Sequence, residues 1–214
     1  MQTDRQRRSF LLGMAGLWLA TPVLARTRLD RTPAQIAGPF YPDDLPLDDD
    51  NDLTVVRGRN AHAKGNVSDV SGRILDVNGQ PLAHVRVEIW QCDANGRYHH
   101  PRDHGGPLDP NFQGFGHTRT DAQGRYRFRT IRPVPYPGRT PHIHFAVFPE
   151  WEPRFTTQLY VAGEPRNASD FLFNSIPATR RHLVLAEFKQ VPDGSALAAS
   201  FDIVLGSADG TPRG

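Results

Sequence analysis

Between Val67 and Leu205 the chain is a succession of short strand-like runs separated by turns, and this rhythm points to an all-β fold. His84-Val85-Arg86-Val87-Glu88-Ile89-Trp90 alternates polar and apolar side chains, as does Tyr126-Arg127-Phe128-Arg129. A period of two gathers the apolar set on one face of a strand. Asn95-Gly96 and Gln123-Gly124 mark turns, and Asn78-Gly79 after the run Val70–Leu75 predicts a hairpin. Further strands are expected over His142–Phe148, Thr157–Val161, His182–Phe188 and Ala199–Leu205, with Ser169–Arg181 as the best helical candidate, cut short by Pro177. Seven or eight strands without strand–helix alternation predict an antiparallel β-sandwich with long irregular loops, occupying residues 66–214. The 19 prolines and 19 glycines suit so many turns, and there is no internal repeat or second domain.

Residues 26–65 read as an N-terminal arm. Ile36-Ala37-Gly38-Pro39-Phe40-Tyr41-Pro42 is apolar and too rich in proline for a helix or a central strand. An arm of this kind is expected to cover an apolar site rather than stay in water. The acidic run Asp43–Asp52 lacks the glycine a calcium loop requires and reads as a solvated loop. Residues 1–25 combine Arg5, Arg7 and Arg8 with a short apolar run and the small-residue site Val23-Leu24-Ala25. Arg7-Arg8-Ser9-Phe10-Leu11-Leu12 resembles a twin-arginine export signal, which implies a periplasmic or extracellular protein. Removing the segment's three arginines and one aspartate from the 25 basic and 23 acidic residues leaves 22 of each. A mature chain of zero net charge offers nothing to attract nucleic acid or an anionic membrane. Cys92 is the only cysteine, so no internal disulfide forms, and its apolar strand predicts a buried, inert thiol.

His142 and His144 stand two apart on a predicted strand, so both imidazoles point to one side and can reach one metal ion. Upstream, Pro135, Pro137 and Gly138 fix a turn that presents Tyr136 and Arg139 at the start of that strand. Tyr98 follows the Asn95-Gly96 turn. Two phenols and two imidazoles make a mixed oxygen and nitrogen set. Zinc sites draw on Cys, His and carboxylate, whereas tyrosinate is a hard anionic donor suited to ferric iron.

Six stretches in order carry a resemblance: Val87-Glu88-Ile89-Trp90-Gln91, Gly96-Arg97-Tyr98-His99-His100, Leu108-Asp109-Pro110-Asn111-Phe112, Pro135-Tyr136-Pro137, Pro141-His142-Ile143-His144-Phe145 and Thr157-Gln158-Leu159-Tyr160. Together they closely resemble the intradiol ring-cleavage dioxygenases, in particular the protocatechuate 3,4-dioxygenase type. The resemblance implies a mononuclear non-haem Fe(III) held by Tyr98, Tyr136, His142 and His144, with Tyr136 the ligand displaced by substrate. It implies a catechol-type substrate and O2, cleavage between the two hydroxyl-bearing carbons, and a cis,cis-muconate-type product. It also implies catalytic roles for Arg139 and Gln158 beside Tyr136, and allows a homo-oligomer. The chain departs from the family in lacking room for the helical dimerisation segment of catechol 1,2-dioxygenases, in a short interval from Tyr136 to His142, and in Gly138, where an aromatic residue often stands. Two other readings belong beside it: a catalytically silent transthyretin-like or carbohydrate-binding sandwich, and a zinc hydrolase on the same architecture.

Overall fold

The computed structural model describes residues 28–206 except 46, 47, 49 and 193. The export signal read over residues 1–25 lies outside them. Among the described residues, ten strands form two five-stranded sheets. One sheet contains β1 (Val67–Asp76), β4 (Arg125–Ile131), β8 (Lys189–Gln190), β9 (Leu197–Ser200) and β10 (Ile203–Leu205). The other runs in the order β3 (Phe115–Arg119), β2 (Arg86–Trp90), β5 (His142–Phe148), β6 (Phe155–Val161), β7 (Leu185–Ala186). Val70, Ile74, Phe128, Ile89, Ile143, Phe145 and Leu159 are fully buried in the core between them. The all-β sandwich is therefore as expected, but the sheets are mixed. β1 runs parallel to β9 and β10, and β6 runs parallel to β7.

Several local expectations are corrected. Asn78-Gly79 makes a tight turn, with Gly79 at φ 74°, but closes only the single bridge Leu75↔Pro81. The edge of β1 is already taken by β4, with Val70 opposite Phe128, and Pro81 has no N–H to extend a ladder. The chain crosses instead to the second sheet. β3, with the sequence Phe-Gly-His-Thr-Arg, has no apolar alternation to mark it, and its Gly116 is required because a Cβ there would lie 2.4 Å from the Asp50 carbonyl oxygen. The run Ala199–Leu205 is two strands, β9 and β10, because Phe201 turns inward and the Asp202 carboxylate accepts the Arg73 N–H at 2.8 Å. The expected helix over Ser169–Arg181 is only α1 (Phe171–Asn174) between two 3-10 turns. Asp170, in extended conformation, caps α1, and Pro177 starts the second 3-10 turn, which takes residues 182–184 of the strand expected over His182–Phe188 and leaves only β7 of it on the sheet.

The arm is packed onto the sandwich. The Thr32 N–H bonds to the Val204 carbonyl at 3.0 Å and the Gln35 N–H to that of Thr156 at 2.8 Å. The acidic run, expected as a solvated loop, leads directly into Leu53, which is fully buried and donates its N–H to the Arg129 carbonyl at 2.8 Å. No helix among the described residues is long and apolar enough to cross a membrane.

β5 carries both histidines, and its place in the sheet decides their surroundings. It lies between β2 and β6, with Trp90, His144 and Gln158 in one cross-strand row. Ile143, Phe145 and Val147 face the main core, while Ala146 on the alternate face joins a second apolar cluster. That cluster includes Trp90, Tyr98 and, from the arm, Ala37, Phe40 and Tyr41. The sheet is thus covered on both faces, and the histidine side of β5 is buried rather than half-exposed.

Candidate metal centre

Three segments converge over the alternate face of β5. The first is the loop after β2. The Asp93 carboxylate accepts the N–H groups of Asn95 and Arg97, closing a turn with Gly96 at φ 79°. A Cβ on Gly96 would lie 3.0 Å from the Pro135 carbonyl oxygen, so glycine lets this turn seat against the next segment. Tyr98 is delivered to the centre there, its N–H bonded to the Asp103 carboxylate at 2.7 Å. The second segment is the turn Tyr136–Arg139, closed by the Arg139 N–H to the Tyr136 carbonyl at 3.0 Å. Pro137 and Gly138, the latter at φ 82°, occupy its centre, as a type II turn requires. The third is β5 itself.

The four expected ligands are brought together. His142 Nε2 lies 3.2 Å from His144 Nε2 and 3.4 Å from the Tyr98 hydroxyl oxygen. The Tyr136 ring is 5.4 Å from that of Tyr98 and 5.5 Å from that of His142, between centroids. The Thr140 carbonyl, 2.6 Å from His142 Nδ1, can only accept, so Nδ1 carries the proton and the Nε2 lone pair faces the centre. A hydrogen bond at the outer nitrogen is the usual support of a metal-binding histidine. Burial, then the Arg139 charge, lowers the His142 pKa to about 3. Burial, then His142, holds His144 well below its ordinary value. Burial raises both phenols, the deeply buried Tyr98 strongly and the less buried Tyr136 less, with Arg139 opposing the rise at each. Both imidazoles are therefore neutral donors, and both phenols keep their protons until a cation displaces them. Among the described residues, no group of three or more His, Cys, Asp or Glu side chains is poised to hold a metal, so the phenols are what complete a donor set here. That set fits a hard, highly charged ion.

Arg139 is buried beside this centre, and each of its three guanidinium nitrogens donates a hydrogen bond. Nε donates to the Asp170 carboxylate at 2.8 Å, Nη2 to Gln158 Oε1 at 2.7 Å, and Nη1 to the Tyr136 hydroxyl at 3.4 Å. Gln158 Oε1 also accepts from the Tyr160 hydroxyl at 3.0 Å, and its amide nitrogen donates to the Ile36 carbonyl at 3.2 Å. Gln35 bonds to the Tyr160 hydroxyl at 2.9 Å, so the arm is latched across its own chain's site. Phe40 stacks on Tyr98 at 4.8 Å. A cavity of about 510 Å³ opens beside Tyr136 and Arg139, lined also by Arg166, Ser169 and Asp170.

Residues 36–207 match the model of a family described as Dioxygenase. The beta chain of protocatechuate 3,4-dioxygenase from Burkholderia cepacia is 42% identical over 195 residues, which cover 86% of this chain and 82% of that one. This chain is an intradiol ring-cleavage dioxygenase. Catechol 1,2-dioxygenase of Acinetobacter baylyi is 32% identical over 184 residues, 72% of this chain and 52% of that protein. Among solved structures, the dioxygenase domain of a carbohydrate-binding fusion from Streptomyces sp. SirexAA-E superimposes with a TM-score of 0.65 at 34% identity, covering 83% of this chain and 99% of that one. Membership decides against the catalytically silent sandwich.

In the dioxygenase, several site residues carried no sequence signal. Asp170, which orients Arg139, is 31 residues away from it, and the Thr140 carbonyl is a backbone group. Arg166 reaches the cavity through loop geometry alone. Trp90 belongs to one of the stretches that carry the resemblance, but nothing in the sequence placed it against His144.

Proposed function

We propose that this intradiol dioxygenase holds one Fe(III) on Tyr98, Tyr136, His142 and His144 and opens a catechol-type ring between its hydroxyl-bearing carbons with O2, giving a cis,cis-muconate-type diacid. His144 Nε2 and the Tyr98 oxygen, both within 3.4 Å of His142 Nε2, carry this reading. When bound, ferric iron supplies a Lewis acid to which both catechol oxygens can bind. The remaining work falls to the protein. Tyr136 sits on a turn rather than in the sheet, and its phenolate oxygen would be the base that takes a substrate proton. Arg139, fixed by Asp170 and Gln158, places a permanent positive charge where the ring becomes electron-rich. Phe40 and the latched arm exclude water from the Tyr98 side.

The finer proposal is a ring that carries an anionic substituent, as protocatechuate does. The cavity shared by Tyr136 and Arg139 has a second cation, Arg166, on its wall, and the relative at 42% identity bears the protocatechuate name. We further propose that residues 1–25 export the enzyme.

Metal analysis of the purified protein, followed by oxygen uptake with protocatechuate, catechol and hydroxyquinol, tests both levels. Near-stoichiometric iron, a red-brown colour from tyrosinate-to-iron charge transfer, and preference for protocatechuate are expected. Full zinc occupancy with activity intact would refute the iron reading. Preference for unsubstituted catechol would refute the substrate alone.

A further inference from the structure

The two histidines of the centre are held in different ways. His142 is anchored by its Nδ1 bond to the Thr140 carbonyl. His144 Nδ1 is buried and no protein group bonds to it. Its ring is nonetheless tightly confined. The Trp90 indole lies parallel to it, with centroids 4.8 Å apart and planes 5° from parallel. Gly38 of the arm crowds the ring at another point, where a Cβ on that residue would come within 3.3 Å of His144 Cε1. Gly38 has φ 74°, so glycine meets both the backbone requirement and the close approach. Trp90 is supported in turn, because Tyr41 packs edge-on to the indole at 5.0 Å. The Tyr41 hydroxyl is tied to the buried Glu88 carboxylate at 2.8 Å.

We propose that Trp90 is a positioning residue for His144, and that its stacked indole, with the Gly38 backbone, replaces the hydrogen bond by which a metal-binding histidine is normally oriented. An imidazole without a bonded Nδ1 is free to rotate about its ring-bearing bond unless packing prevents it, and every degree of rotation moves Nε2 off the metal position. A flat indole face stops that rotation without supplying an acceptor. The arm contributes to both supports, through Gly38 and through Tyr41 behind Trp90. Its folding onto the sandwich is therefore part of assembling the metal centre, not only of covering it. The inference rests on the metal reading of the site, but the restraint on the ring is present in the metal-free chain.

Two measurements separate these levels. In the metal-free wild-type protein, long-range 1H–15N spectra should show His144 ring protons shifted upfield by the indole ring current and sharp, with those shifts lost in Trp90→Leu. Ordinary shifts in the wild type would overturn the restraint whatever the metal. Iron affinity, from competition with a ferric chelator, should fall at least about tenfold in Trp90→Leu, with a displaced charge-transfer band. Trp90→Phe, which keeps an aromatic face, should stay within about threefold of wild type, and it remains available if the leucine variant does not fold. Equal loss in the phenylalanine variant, or wild-type affinity and spectrum in a folded leucine variant, would overturn the proposal. A wild-type protein that takes up no iron, with the ring shifts present, would instead remove the metal reading.

Discussion

Tyr98 and Tyr136 are chemically alike, and their settings separate their roles. Tyr98 is 2% exposed, held by its N–H to Asp103 and by the stacked ring of Phe40. Tyr136 rides a turn whose Gly138 faces open space, so its ring can move without disturbing a strand. Tyr136→Phe is therefore expected to retain iron and much of the colour but to bind substrate slowly, the departing base being absent. Tyr98→Phe should lose metal affinity and most activity. Resonance Raman of the substrate complex identifies the tyrosinate that remains, and a surviving Tyr136 signal would reverse these assignments. Asp170 offers a second test. Burial pushes its carboxyl up, but hydrogen bonds from Arg139, Phe173 and Thr140 outweigh this and leave it below the usual carboxylate range. A carboxyl lowered on folding adds stability above its unfolded value of about 3.9, lost as pH falls through the folded value. Asp170→Asn should flatten the stability profile below about pH 4 and cost about 3–5 kcal/mol at neutral pH, since it leaves Arg139 buried without its partner. Urea melts at several pH values measure both; an unchanged acid limb would show that the pair does not set it.

At the scale of elements, β5 and the arm make one unit. The strand is buried on both faces only because residues 32–41 and the loop after β2 lie over it. The bonds of Gln35 to Tyr160 and of Gln158 to the Ile36 carbonyl hold that cover on the same chain. Phe40→Ala leaves these bonds in place and removes the ring over Tyr98. The expected result is a KM raised about tenfold with kcat within about threefold, because the lost contact serves the bound and activated substrate alike. Steady-state oxygen uptake gives both constants, and a fall in kcat at constant KM would assign the ring a different role.

For the whole molecule, the proposed removal of residues 1–25 would leave a chain of zero net charge whose single cysteine, Cys92, is buried. Burial lifts the Cys92 pKa to about 12, so the thiol is protonated at neutral pH. Export by the twin-arginine route depends on the arginine pair itself, so replacing Arg7 and Arg8 with lysine should leave the precursor in the cytoplasm. Fractionation and blotting follow it, and normal export of the double variant would point to the general secretory route.

The strand alternation in β2 and β4 and the His-x-His spacing in β5 determined an all-β scaffold with two imidazoles on one face, because a period of two is a local property of the backbone. Pro137-Gly138 likewise dictated the turn that presents Tyr136 and Arg139. Tertiary structure decided everything that depends on which segments meet. Asn78-Gly79 makes its turn but not its hairpin, because β4 had taken the neighbouring edge of β1. The parallel pairing of β1 with β9 and β10 joins residues about 130 apart, beyond any local pattern. Asp170 under Arg139, the Thr140 carbonyl under His142 and Trp90 against His144 have no signature along the chain either, since each is a contact between side chains or backbone groups that only the folded sheets bring within reach.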